Sequence, residues 1–106
     1  MPDKLEAWFH EAMMDLYRRA KAECDYNATR FLGMVNEDGG LAAAKHLINA
    51  PDISDGFGEL WERGRLDLSV EAYALREEFR PLFTEDELAV CRKRLLDARY
   101  DGPEVQ

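Results

Sequence analysis

LEAWFHEAMMDLYRRAKAEC, residues 5–24, decides the fold class. Leu5, Trp8, Phe9, Ala12, Met13, Leu16, Ala20 and Cys24 recur at spacings of three and four, while Glu6, Glu11, Asp15, Arg18, Arg19 and Glu23 fall between them. That is the period of an amphipathic helix with one apolar stripe. Asp3 and Glu6 near its start, and Arg18, Arg19 and Lys21 later, have the signs that suit the helix dipole. Trp8, Phe9, Met13 and Met14 are too many for one stripe, so one of them is expected at its edge.

Working outward, CDYNATRF (24–31) breaks this helix. Asn27 is placed to cap a second one, with Tyr26 and Phe31 as a hydrophobic staple. ATRFLGMVNED then runs to the stop at Gly39-Gly40. A third, alanine-rich helix, LAAAKHLIN, ends before Pro51. Ser54 or Asp55 caps a fourth, GFGELWER, which Gly64 closes, and Ser69 caps a fifth, VEAYALREE, which must end before Pro81. The last start signal is the strongest: Thr84 and Glu87 form a T-x-x-E capping box, with Phe83 and Leu88 as its staple. DELAVCRKRLLDAR follows, and YDGPEVQ, from about residue 100 to 106, is expected to fray. No sustained alternation of apolar and polar residues argues for a sheet, and no repeat is present. The expectation is an all-α, compact, non-repeating bundle of five or six short to medium helices, one domain over residues 1–106.

Composition agrees with a folded chain. Of the 106 residues, 46% are hydrophobic and 34% charged, which is enough apolar material for a core and too much for a disordered chain. The net charge of −8 is spread over both halves. It disfavours a general electrostatic hold on DNA, which comes from Lys and Arg releasing counterions. Cys24 and Cys91 fit neither a zinc nor a C-x-x-C spacing, and both are expected reduced, Cys91 on the buried side with Leu88 and Leu95. The start MPDKLEAWFHEAMM carries no apolar leader, and no run approaches the ~18 residues that span a bilayer. The expected setting is cytoplasmic, with no membrane partner.

One stretch asks for a functional reading. LWERGRLDLSVEA, residues 60–72, packs five formal charges, a tryptophan and a glycine between two apolar runs. As a joint, it has a C-cap glycine at Gly64 and an N-cap hydroxyl at Ser69. An extended GRLDL would turn Leu66 and Leu68 inward and leave Arg65 and Asp67 on the outer side, with Arg63 and Glu71 near. Arg65, Asp67 and Glu71 are then structural ion pairs that fix the angle between two helices. Truncating Arg65 in a partly buried pair would cost on the order of 3 kcal/mol. As a site, Trp61, Arg63 and Arg65 form a partner or phosphate contact, since Trp and Arg are favoured interface anchors.

The remaining chemistry is sparse. His10 and Glu6 share one helix face, but two ligands do not make a metal site. No G-x-S-x-G, H-E-x-x-H or Walker loop occurs, so catalytic residues, cofactors and metals are all expected to be absent. MVNEDGGLAAAKHLI compares with a helix-hairpin-helix DNA motif, but Glu37 and Asp38 in its turn would repel a phosphate. Two basic clusters, Arg18-Arg19-Lys21 and Arg92-Lys93-Arg94, lie late in their helices and are interleaved with acids.

Three blocks together, AKAECDYNATRFLGMVNEDGGLAAAKHLI, SDGFGELWERGRLDLSVEAYAL and LFTEDELAVCRKRL, resemble an uncharacterised family of small all-helical bacterial domains. The resemblance spans about residues 14–96, through its YNATRF and LWERGRLDLSVEA blocks. It implies a bacterial cytoplasmic protein and carries no catalytic residue onto this chain. The reading that follows is a non-enzymatic protein-interaction or regulatory module, with a protein partner or a homodimer. The alternatives are a nucleic-acid-binding accessory domain using the arginine clusters, or an acidic nucleic-acid mimic that occupies a DNA-binding protein.

Overall fold

The apolar stripe of the first helix becomes the axis on which the rest is packed. A computed structural model describes residues 4–106; Asp3, expected in the first turn, lies outside them. Helix α1 runs Lys4–Cys24 and buries Phe9, Met13, Leu16 and Ala20. Trp8 is the edge residue, 54% exposed, with its ring edge-on to Phe79 at 5.0 Å. Helices α2 (Thr29–Asp38), α3 (Gly40–Asn49), α4 (Asp55–Glu62), α5 (Val70–Ala74) and α6 (Glu85–Asp97) follow. Three 3-10 turns, Leu66–Leu68, Arg80–Leu82 and Pro103–Val105, complete the path. No strand occurs among the described residues. The chain is an all-α bundle.

Caps account for most boundaries. Ser54 and Ser69 accept from the backbone N–H groups of Phe57 and Ala72, and Thr84 and Glu87 form both halves of the capping box. Gly64, at φ 69°, closes α4. Asn27 does not cap α2. Its side-chain oxygen accepts from the Tyr17 hydroxyl at 2.7 Å, so the capping position falls to Ala28, which has no side-chain bond to give. Helix α5 is shorter than its sequence pattern. The carbonyl of Leu75 is met by Arg80 Nε at 2.8 Å, and the chain continues in turns towards Pro81. The segment after α6, expected as a frayed tail, carries the turn at Pro103–Val105, and Tyr100 and Val105 pack against the core.

Helix α3 is held from both sides. Gly40 lies so close to α1 that a Cβ there would sit 2.7 Å from the His10 Cα, and its N–H donates to His10 Nδ1 at 2.9 Å. His10 is therefore an acceptor for a helix start. On the other side Lys45 Nζ donates to Glu87 Oε1 at 2.7 Å, and Asn49 Nδ2 to Glu87 Oε2 at 2.8 Å.

The same Glu87 carboxylate takes the Thr84 N–H at 2.8 Å. Burial alone would raise its pKa, but Lys45, Thr84 and Asn49 together outweigh burial and hold it at about 2, against an ordinary 4.5. A depressed carboxylate stabilises the fold above its unfolded value and loses that contribution as pH falls through its folded one. The stability gap between wild type and Glu87→Gln should therefore shrink as pH drops from 4.5 towards 2. Urea titrations across that window check it; a gap independent of pH would show that the carboxylate charge is not what matters.

Candidate functional site

The connector after α4 is built as a clamp. Arg65 forks onto Asp67, with Nε to Oδ1 at 3.0 Å and Nη2 to Oδ2 at 3.2 Å, and reaches Glu23 at the end of α1 at 2.7 Å. Arg63 donates to the Cys24 carbonyl at 3.0 Å, pairs with Glu59 and lies over the Tyr26 ring. Both arginines thus tie the exit of α4 to the exit of α1. The connector is not extended, as the alternation of Leu66 and Leu68 suggested, but a 3-10 turn. The Ser69 hydroxyl closes it by donating to the Leu66 carbonyl at 2.7 Å while accepting from Ala72, and both leucines are still buried. Trp61, 54% exposed, stands on the outer face of α4.

Glu71 does not join this clamp. It is turned inward, 2% exposed, and meets Arg94 of α6 at 3.1 Å. Burial pushes its carboxyl up, against the pull of its own backbone N–H and of Arg94. Without Glu71 the connector pairs are half-solvated, since the carboxylates of Glu23 and Asp67 are about 38% and 42% exposed. Removing Arg65 then strands no buried charge. Arg65→Ala should cost about 1 kcal/mol, in the range of an exposed pair within a network, rather than the larger loss that burial would bring. Thermal melts of the variant decide between the two.

Between α1, α2 and α4 the bundle leaves an open apolar cleft of about 510 Å³. Leu16, Tyr26, Phe31, Met34, Phe57 and Leu60 line it, together with Leu68, Val70 and Glu71. On α2 the lining residues are Arg30, Phe31, Gly33, Met34 and Glu37, of which Arg30, Gly33, Met34 and Glu37 are spaced i, i+3, i+4 and i+7 along one helical face. The middle of that face is a hole. A Cβ on Gly33 would meet nothing within 4 Å. Glycine in a helix interior is less stable than alanine by about 1 kcal/mol, and Gly33 has neither positive φ nor a close neighbour to require it. Gly33→Ala should raise stability by roughly 0.5–1 kcal/mol; calorimetry showing a loss instead would mean that the position is packed.

No known protein family, curated protein or solved structure matches the chain. The site is therefore read from its own chemistry. Among the described residues no group of three His, Cys, Asp or Glu side chains could hold a metal ion, and no helix is long and apolar enough to cross a membrane. Cys91 is fully buried, its thiol pushed up to about 12 chiefly by burial, and Cys24 is free and half-buried. One residue of the first basic cluster and two of the second are engaged within the molecule: Arg19 with Glu23, Lys93 with Asp97 and Arg94 with Glu71.

Sequence reasoning missed the cleft and the Glu71–Arg94 pair. A signal for the cleft was present. A glycine and two charges occupy the helical positions of α2 where an apolar stripe belongs. For Glu71 there was none, because its spacing suits an outer face as well as an inner one.

Proposed function

We propose that this protein is a non-enzymatic interaction module of the bacterial cytoplasm that holds a segment of a protein partner in the cleft between α1, α2 and α4. The observation that carries the reading is the cleft itself: an open, mostly apolar recess of about 510 Å³ bordered by a helix whose inward face has a glycine where packing would place a side chain. Apolar recesses of this kind are where amphipathic segments anchor. The exposed Trp61 on the outer face of α4 is a second contact for the same partner, in keeping with the enrichment of Trp at interfaces. The bacterial and cytoplasmic setting rests on the resemblance of the three sequence blocks. A nucleic-acid reading is less favoured, because one arginine of each basic cluster, Arg19 and Arg94, is committed to a carboxylate within the molecule and the net charge is −8.

The test is affinity capture from a bacterial lysate with wild-type and Gly33→Phe baits, each with and without nuclease. The reading predicts a stoichiometric protein that survives nuclease and is lost with the filled cleft. Nucleic acid on both baits, removed by nuclease, would replace it with the nucleic-acid reading.

A further inference from the structure

The charges at the cleft mouth are arranged against the stability of the helix that carries them. Helix α2 has no acid in its first turn and no base in its last. Instead Arg30 stands near its N-terminus, and Glu37 and Asp38 end it. Each sign is the unfavourable one for the helix dipole, at a cost of a few tenths of a kcal/mol or more per charge. Arg30 is compensated by Asp55 of α4, 3.6 Å away across the mouth. Of the other acids on the elements around the cleft, Glu71 is compensated by Arg94 and Glu59 of α4 by Arg63. Among the described residues neither Glu37 nor Asp38 has an ion-pair partner, and both are exposed. The field left over at the mouth is therefore negative and sits at the C-terminal end of α2, where the free helix carbonyls add to it.

Gly33 and Glu37 belong to one face, with Asp38 next to it at the helix end. Four residues separate the empty position from Glu37, which is about one helical turn. Local rules broken together at one place, with no return to the fold, are the pattern of a functional site. Taking the cleft as a partner-binding site, we infer that its occupant is a peptide segment that sets an apolar side chain over Gly33 and a Lys or Arg against Glu37 and Asp38. Met34 and the half-buried Phe31 border the hole, and a methionine wall can repack around anchors of different shape. An anionic segment would meet repulsion from Glu37 at the cleft mouth, where neither Glu37 nor Asp38 has an ion-pair partner among the described residues. A second copy of this chain, itself at −8, fits less well for the same reason.

A displayed library of helical peptides, selected on the wild-type protein and counter-selected on Gly33→Phe, tests this. Gly33→Phe fills open space in a helix, so thermal melting should show it folded. Because that variant still alters the core side of α2, Glu37→Lys with Asp38→Lys serves as a second, exposed one. The inference expects selected peptides with apolar anchors followed by Lys or Arg. It also expects binding at least about tenfold weaker to the double-lysine variant. Peptides that require the cleft but show no basic preference, and that bind the double-lysine variant as well as wild type, would overturn the charge assignment and leave the docking reading standing. A library that enriches nothing over Gly33→Phe would overturn both.

Discussion

Arg94→Ala should lose about 3–5 kcal/mol of unfolding free energy, because it strands the Glu71 carboxylate in the core. Only 11% of the Arg94 side chain and 3% of the Glu71 side chain reach solvent. One guanidinium nitrogen serves Glu71 and the Leu47 carbonyl at 3.1 Å each; the other serves the carbonyls of Ala50 at 2.7 Å and Asp52 at 3.4 Å. Arg94 thus closes the C-terminal end of α3, where helix carbonyls have no donors of their own, while joining α5 to α6. Glu71→Gln should cost less, since the amide keeps an oxygen for Arg94 and removes the buried charge. Urea unfolding of both variants checks the order. A loss below about 1 kcal/mol for Arg94→Ala would mean that water replaces the guanidinium at no cost, and the pair would then be no part of the core.

Phe79→Ala is the second large effect, about 3–5 kcal/mol, the range for emptying a buried aromatic position. Phe79 is 1% exposed and lies outside any helix, between α5 and the turn at Arg80–Leu82. Its ring stands edge-on to Trp8 at 5.0 Å and to Phe9 at 5.1 Å, and Phe9 continues the series to Phe83 at 5.4 Å. These edge contacts add to the area buried. Because Phe79 fastens an irregular segment to α1, its loss should also free that segment, which amide hydrogen exchange in residues 76–83 would read directly. Wild-type protection there in the variant would show that Arg80 and the α6 capping box hold the segment without it.

How far the chain could be read without its structure follows from the range of the forces involved. Helix α1 was legible because a stripe at three- and four-residue spacing is a property of neighbours in sequence, and the start of α6 because a capping box lies within four residues. Ser54, Ser69 and Gly64 were legible for the same reason. Asn27 was misread because the Tyr17 hydroxyl, ten residues earlier, claims the oxygen that would have capped α2. The connector's ion pair between Arg65 and Asp67 was legible at two residues' distance, whereas its third member, Glu23, came from α1. Glu71 was placed on the wrong partner because its bond to Arg94 crosses the bundle. The cleft had only a partial local signal, the glycine and two charges on one face of α2: it exists because α2 presents Gly33 to walls supplied by α1 and α4. The sequence by itself determined the helical class, most of the helix ends and the acidic charge, since periodicity, caps and ionisable groups act over one or two turns. Only the tertiary structure decided which charges are buried, which arginines are taken and where the bundle stays open, because those depend on helices distant in sequence meeting in space.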